Sequence, residues 1–250
     1  MAKDFPMDCF TPAQIEDYDR WYADPLGAMV DRWEKEAVFA LLPEVTGLRI
    51  LDAGCGTGNF TMALASQGAR LVGLDLSRTM LSQARKKAGG HCADISWTQG
   101  DLHHLPFLSA TFDGVLAILS LDFIASRAAV LGEMVRVLRP GGFLVVAILN
   151  RYSLWTLKRK ARAWLKPSPW RQVDFLSAAA LDRLLKESPG LQKFQWHRAV
   201  FGPPCRHPFL VRLAPWWERW GARLWPKAAA FLVVKARKYL SSEGNRSYEP

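Results

Sequence analysis

The chain has 250 residues, half of them hydrophobic and 22% charged, which is enough for one full α/β domain, marginal for two, and not the balance of a disordered chain. Lys and Arg number 33 against 23 Asp and Glu, a net charge of +10, and much of the excess falls after Asn150, as in Lys158-Arg-Lys-Ala-Arg162. No apolar run reaches the roughly 18 residues of a membrane span, and the opening MAKDFPMDCF has no basic segment followed by an apolar core, so a cytoplasmic location is expected.

Residues 1–46 read as a helical cap carrying Tyr18, Trp21, Tyr22 and Trp33. From 47 to 150 short apolar runs alternate with amphipathic stretches. Arg49–Ala53 predicts a buried strand, followed by a glycine loop and a helix over 59–67 that Gly68 ends. Leu71–Asp75 is a second strand. Ser77 can cap the next helix, whose Met80, Leu81 and Ala84 share a face, and Gly89-Gly90 stops it. Ile95–Thr98 and Phe112–Leu119 are the third and fourth strands. A helix capped by Ser126 runs to Leu138 and is closed by Pro140-Gly-Gly142, before a strongly apolar fifth strand at Phe143–Leu149. Residues 151–250 complete the same domain, with a helix over 177–186, a Trp-rich helix over 210–224, and strands at 194–200 and 231–237.

Strand–helix alternation at this pitch implies right-handed βαβ units, and continuously apolar strands imply a parallel sheet covered on both faces. Ligands then bind beyond the carboxyl ends of the strands, which is where the sequence places its most unusual residues. In Leu51-Asp-Ala-Gly-Cys-Gly-Thr-Gly58 a strand must turn sharply into a helix. Glycines allow the backbone angles and a close ligand approach, and the helix N-terminus offers free N–H groups. A dinucleotide fingerprint counted from Gly54 and Gly56 needs glycine at position 59, where Asn stands, and the Gly-Lys-Ser/Thr of a phosphate loop is absent, so pyrophosphate is disfavoured. Asp75, 17 residues after Gly58, can accept from two adjacent ribose hydroxyls. Asp101 can accept from an exocyclic adenine amine, and the Leu102 N–H can donate to the ring. Each aspartate alone would equally suit a helix cap or turn; in order behind the glycine loop they read together as a nucleoside site.

LDAGCGTG, GLDLS at 73–77, QGDLHHLPF at 99–107, FDGVLAILSLDFI at 112–124 and VLRPGG at 137–142 together resemble the class I S-adenosylmethionine-dependent methyltransferases, nearest the branch of the ubiquinone and menaquinone C-methyltransferases and their small-molecule relatives. The resemblance covers residues 15–150 well. It implies a Rossmann-like seven-stranded, mostly parallel sheet with the last strand, 231–237, antiparallel and helices on both faces. It implies S-adenosyl-L-methionine as cofactor, its methionine part cradled by Gly54, Gly56 and Gly58, with Asp52 holding the loop or the amino group. Asp75 and Leu76 would take the ribose, Asp101 and Leu102 the adenine, and Ala117 to Leu119 would flank the sulfonium. Tyr18 and Tyr22 match a region that closes over the cofactor. Several relatives carry a His after the fourth strand, where this chain has Ser120-Leu-Asp-Phe123.

A base is needed only if the acceptor must lose a proton. Asp122, His103, His104, His197 and Tyr18 are candidates, though His103-His104 reads as a surface loop and His197 as a solvent-facing strand position. No catalytic residue is assigned. Cys55 reads as a small side chain tucked behind the loop. With Cys9, Cys92 and Cys205 it shows no metal-ligand spacing, so free thiols are expected and no metal is expected. The expected acceptor is a small apolar or aromatic molecule. The Trp-rich basic stretch over 215–225 can pack on the sheet or rest on a membrane surface. Nucleic acid is disfavoured, since no Asn-Pro-Pro-Tyr or Asp-Pro-Pro-Tyr segment follows the fourth strand. Nothing in the sequence sets an oligomeric state.

Overall fold

The computed structural model describes residues 11–89, 94–165, 168–171 and 173–240. A single seven-stranded sheet organises them, in the order β3-β2-β1-β4-β5-β7-β6. The strands are β1 (Arg49–Ala53), β2 (Arg70–Asp75), β3 (Ile95–Gln99), β4 (Phe112–Ile118), β5 (Leu138–Leu149), β6 (Leu191–Ala199) and β7 (Phe231–Lys238). β1 pairs in parallel with β2 and β4, and β7 runs antiparallel to β5 and β6. The chain moves outward from β1 to β3, then crosses back to β4 on the other side of β1, so the switch of strand order falls between β1 and β4. The glycine loop leaves the carboxyl end of β1 at that switch, where ligands of such sheets bind.

Alternate strand residues point to opposite faces, and both faces are covered. On one face Ile50, Leu71, Leu116 and Val145 meet Val30, Ala37 and Val38 of α2 (Pro25–Phe39) and Phe60 and Leu64 of α3 (Asn59–Ala65). On the other Leu51, Val115, Leu144 and Val146 meet Leu131 and Met134 of α5 (Arg127–Val137) and Leu181 and Leu185 of α7 (Ala178–Glu187). Each such burial contributes about 1.5–3 kcal/mol relative to exposure, which is why these runs read as unbroken apolar segments.

The cap consists of α1 (Pro12–Ala23) and α2. Thr11 and Gln14 form a reciprocal capping box with Pro12 in the first turn of α1. Asp24 ends that helix and caps the next, its carboxylate accepting from the Leu26 N–H at 3.1 Å. Ser77 caps α4 (Arg78–Ala88) as expected, accepting from the Met80 N–H.

Three expectations are corrected. Pro140-Gly-Gly142 does not precede the fifth strand but lies within β5, where the pairing register with β4 shifts between Phe112 and Gly114. The Trp-rich helix is two helices, α8 (Pro208–Arg212) and α9 (Ala214–Leu224), broken at Leu213. β6 begins at Leu191 and not at Phe194. One further helix, α6 (Leu154–Leu165), follows β5. No helix among the described residues is long and apolar enough to cross a membrane, and no cluster of potential metal ligands occurs among them. Cys55 and Cys205 are free thiols; Cys9 and Cys92 lie outside the described residues.

Candidate cofactor site

The loop after β1 is held from behind by β2. The N–H groups of Gly54 and Cys55 both donate to the Leu74 carbonyl, at 2.7 and 3.0 Å. Gly54 has φ +82°, and a Cβ there would lie 2.5 Å from the Ser120 Cβ. Gly56 has φ +54°, and a Cβ there would meet nothing within 4 Å. One glycine is therefore required by packing, while the other leaves open space at the loop surface. Gly58 starts α3 with φ +78° and packs under the Trp97 ring, which a Cβ would meet at 2.5 Å.

The carboxyl end of β2 closes on this loop. Asp75 Oδ2 accepts from the Gly56 N–H at 2.8 Å and Oδ1 from the Ser77 N–H at 2.9 Å. Each carboxylate oxygen keeps a second lone pair for an outside donor. Burial pushes the Asp75 carboxyl up, against these backbone hydrogen bonds. Asp52, at the end of β1, is buried and accepts from Thr61 Oγ1 at 2.5 Å, and burial raises its carboxyl to about 6. Burial also pushes the Cys55 thiol well up, and its Sγ packs against Gly73, as a structural side chain would.

A cavity of about 50 Å³ opens in front of the loop, lined by Tyr18, Tyr22, Asp52, Gly54, Gly56, Leu119 and neighbours. Small-ligand sites hold roughly 300 Å³ or more. Tyr18 and Tyr22 form part of its wall, their hydroxyls hydrogen-bonded at 2.8 Å and their rings edge to face. Asp19, between them on α1, accepts from Thr57 Oγ1 and Lys87 Nζ at 2.8 Å and from Gln83 Nε2 at 2.9 Å, tying the helix to the loop and to α4.

Two polar atoms, one lining this cavity and one beside Gly54, test whether a ligand with polar groups suits it. Ser120 Oγ, beside Gly54, and Asn59 Nδ2 are both buried without a hydrogen-bond partner. Their pairing capacity, the open face at Gly56 and the spare lone pairs of Asp75 fit a nucleoside carrying an amino-acid tail.

The other expected residues fall into two groups. Leu119 lines the cavity, whereas Ala117 is wholly buried in the core beneath it. Gly58, Leu76 and Leu102 do not line the cavity, though Leu102 Cδ1 approaches to 3.7 Å of a Cβ built at Gly54. Asp101 is exposed, and its Oδ1 accepts from the N–H and ring of His103. Slight burial raises its carboxyl, and the His103 hydrogen bonds more than offset this and hold it below the usual range. His103 also meets Ser126, and His197 is exposed on the edge strand β6.

Ile118, within the expected 117–119 stretch, lines the cavity, as do Thr57, Asn59 and Phe60, none of which was singled out for it. Neither was a buried ionisable cluster beyond Tyr22. Burial lifts Glu34 to about 8 and Asp122 to about 7. Arg159 lies near both, over the rings of Trp155 and Trp170 at 5.6 and 5.0 Å. Asp122 Oδ2 accepts from the Leu149 N–H, while its Oδ1 and Arg159 Nη1 have no partner. Asn150, just after β5, donates to the carbonyls of Lys227 and Ala229.

A family model described as a methyltransferase domain matches residues 51–146. The chain is 37% identical over 166 residues to a malonyl-[acyl-carrier protein] O-methyltransferase of Pectobacterium atrosepticum, an alignment covering 66% of this chain and 60% of that protein. It is 30% identical over 206 residues to a demethylmenaquinone methyltransferase of Tropheryma whipplei, covering 73% of this chain and 82% of the relative. A solved S-adenosylmethionine-dependent methyltransferase from Thermotoga maritima shares the fold with a TM-score of 0.69 at 23% identity, over 91% of this chain and 97% of that one.

Proposed function

This chain belongs to the class I S-adenosylmethionine-dependent methyltransferases, and we propose that it methylates a small apolar or aromatic molecule at carbon or oxygen. The observation that carries the acceptor class is the position of Leu119. On one side it lines the cofactor cavity; on the other it packs with Phe123 and Trp170 against Leu149, Val173 and Phe175. The Trp170 ring stacks on Phe175 and lies 5.9 Å from Phe123. A flat apolar acceptor seated among these rings would lie next to the point of transfer.

When bound, the cofactor supplies a methyl group already activated on a sulfonium. The chain's own work is positioning and exclusion of water. Gly54 and Gly56 keep the loop open to the methionine part, and Asn59 and Ser120 offer it their unpaired polar atoms. Asp75 takes the ribose hydroxyls, and Asp101 and the Leu102 N–H take the adenine. Asp52 holds the loop through Thr61. Tyr18 and Tyr22 cover the site. Where the acceptor must lose a proton, Asp122 is the candidate whose carboxyl, near 7, suits a base at neutral pH.

Transfer of labelled methyl onto a lysate separated into small-molecule, lipid and RNA pools tests this reading. Label in the small-molecule or lipid pool supports it, and label confined to RNA overturns it.

A further inference from the structure

Most of the positive excess of this protein lies in two stretches. Residues 150–176 and 200–230 contain twelve Lys and Arg against two Asp and Glu, a balance of +10 that equals that of the whole chain. Both stretches leave the same end of the sheet, because Leu149 at the end of β5 and Ala199 at the end of β6 both pair with Phe231 at the start of β7. That is also the end on which β1 delivers the glycine loop. The two stretches touch: the Trp155 indole donates to the Gly202 carbonyl at 2.8 Å, and Lys158 Nζ donates to the Pro204 carbonyl.

The α6 helix in this basic region buries one side and exposes an apolar stripe on another. Trp155, Thr156 and Ala163 face inward and are buried. Leu154, Leu157, Ala161, Trp164 and Leu165 are exposed and, at helical spacing, form one outward stripe about 100° wide. Trp164 is 87% exposed and Leu165 84%. Lys158 and Arg162 border the stripe on one side and Lys160 on the other. A water-facing apolar stripe flanked by cations is the pattern of a helix lying in a membrane interface, its rings among the acyl chains and its cations at the headgroups.

We propose that the outward face of α6, within this basic region, docks on an anionic lipid bilayer. The charge balance selects the sign of the surface, and the stripe selects a lipid interior over an acidic protein. The docked helix belongs to the end of the sheet that bears the cofactor site, so an acceptor dissolved in the bilayer would meet the enzyme there. The docking itself does not depend on the identity of the acceptor.

Flotation of the whole protein with phosphatidylcholine vesicles, with and without phosphatidylglycerol, tests the proposal. Wild type should float with the phosphatidylglycerol vesicles, stay behind with phosphatidylcholine alone, and lose binding as salt is raised. The combined variant Leu157→Ser, Trp164→Ser, Leu165→Ser should bind roughly tenfold or more weakly while keeping wild-type affinity for S-adenosylhomocysteine. That affinity shows the fold and the cofactor site intact, so a failure of docking is separable from a failure of the methyltransferase reading. No flotation, as expected if the face instead serves an acidic protein, overturns the proposal. So does equal flotation of wild type and variant.

Discussion

The Asp75 carboxylate accepts a hydrogen bond from the Gly56 N–H at 2.8 Å, so the group assigned to the ribose and the loop assigned to the methionine part are one mechanical unit. Displacing either moves the other. Two strands that are neighbours in the sheet thus deliver the two halves of the proposed cofactor site in a fixed relation.

The two loop glycines separate stability from binding. Gly54→Ala forces a side chain to φ +82° and against Ser120, and should cost about 1–3 kcal/mol of stability. Gly56→Ala, at φ +54° in open space, should cost about 1–2 kcal/mol but place a methyl where the cofactor lies. Thermal denaturation together with titration of S-adenosylhomocysteine checks this. The greater stability loss belongs to Gly54→Ala, and Gly56→Ala should bind far more weakly than its stability loss accounts for.

Asp19 makes the cap a latch. Its carboxylate joins α1 to Thr57, Gln83 and Lys87, and α1 also carries Tyr18 and Tyr22, which line a cavity of about 50 Å³, so a nucleoside is expected to enter by displacing α1. Asp19→Ala should let S-adenosylhomocysteine associate several-fold faster in stopped-flow fluorescence and expose α1 to protease. An unchanged association rate would rule out the latch.

The buried carboxyls give stability a definite pH dependence. The folded protein keeps a proton on Glu34 up to about 8, whereas the unfolded chain releases it near 4.5. Stability from this group is fully present below 4.5 and is lost as pH rises through about 8, at up to about 1.4 kcal/mol per pH unit. Asp52, raised to about 6, acts in the same direction at lower pH. Melting curves between about pH 5 and pH 9 should therefore fall less steeply for Glu34→Gln than for wild type. Parallel curves would show that Glu34 is ionised in the folded protein.

Much of this was legible in the sequence, for local reasons. The strands β1, β2 and β4 announce themselves because a sheet covered on both faces needs unbroken apolar runs, and the loop because its turn needs glycine. Leu119 and Tyr22 line the cavity. Four things were not legible. Ala117 sits two residues before Leu119, and a strand interior hides what its end exposes. Gly58 matches the motif, yet its lack of a side chain serves the Trp97 ring, 39 residues away in sequence. Glu34, Asp122 and Arg159 come from three segments brought together only by tertiary packing, and no spacing links them. The break at Leu213 was masked by the continuous Trp and Arg pattern around it.

The central claim is that the loop from Leu51 to Gly58, with Asp75, holds S-adenosylmethionine. Calorimetric titration with S-adenosylhomocysteine tests it most directly. Wild type should bind at one site, and Asp75→Ala, which removes the charged acceptor of two hydroxyl hydrogen bonds, should weaken binding by about tenfold to a hundredfold. No binding by the wild type, or an unaltered affinity in Asp75→Ala, would contradict it.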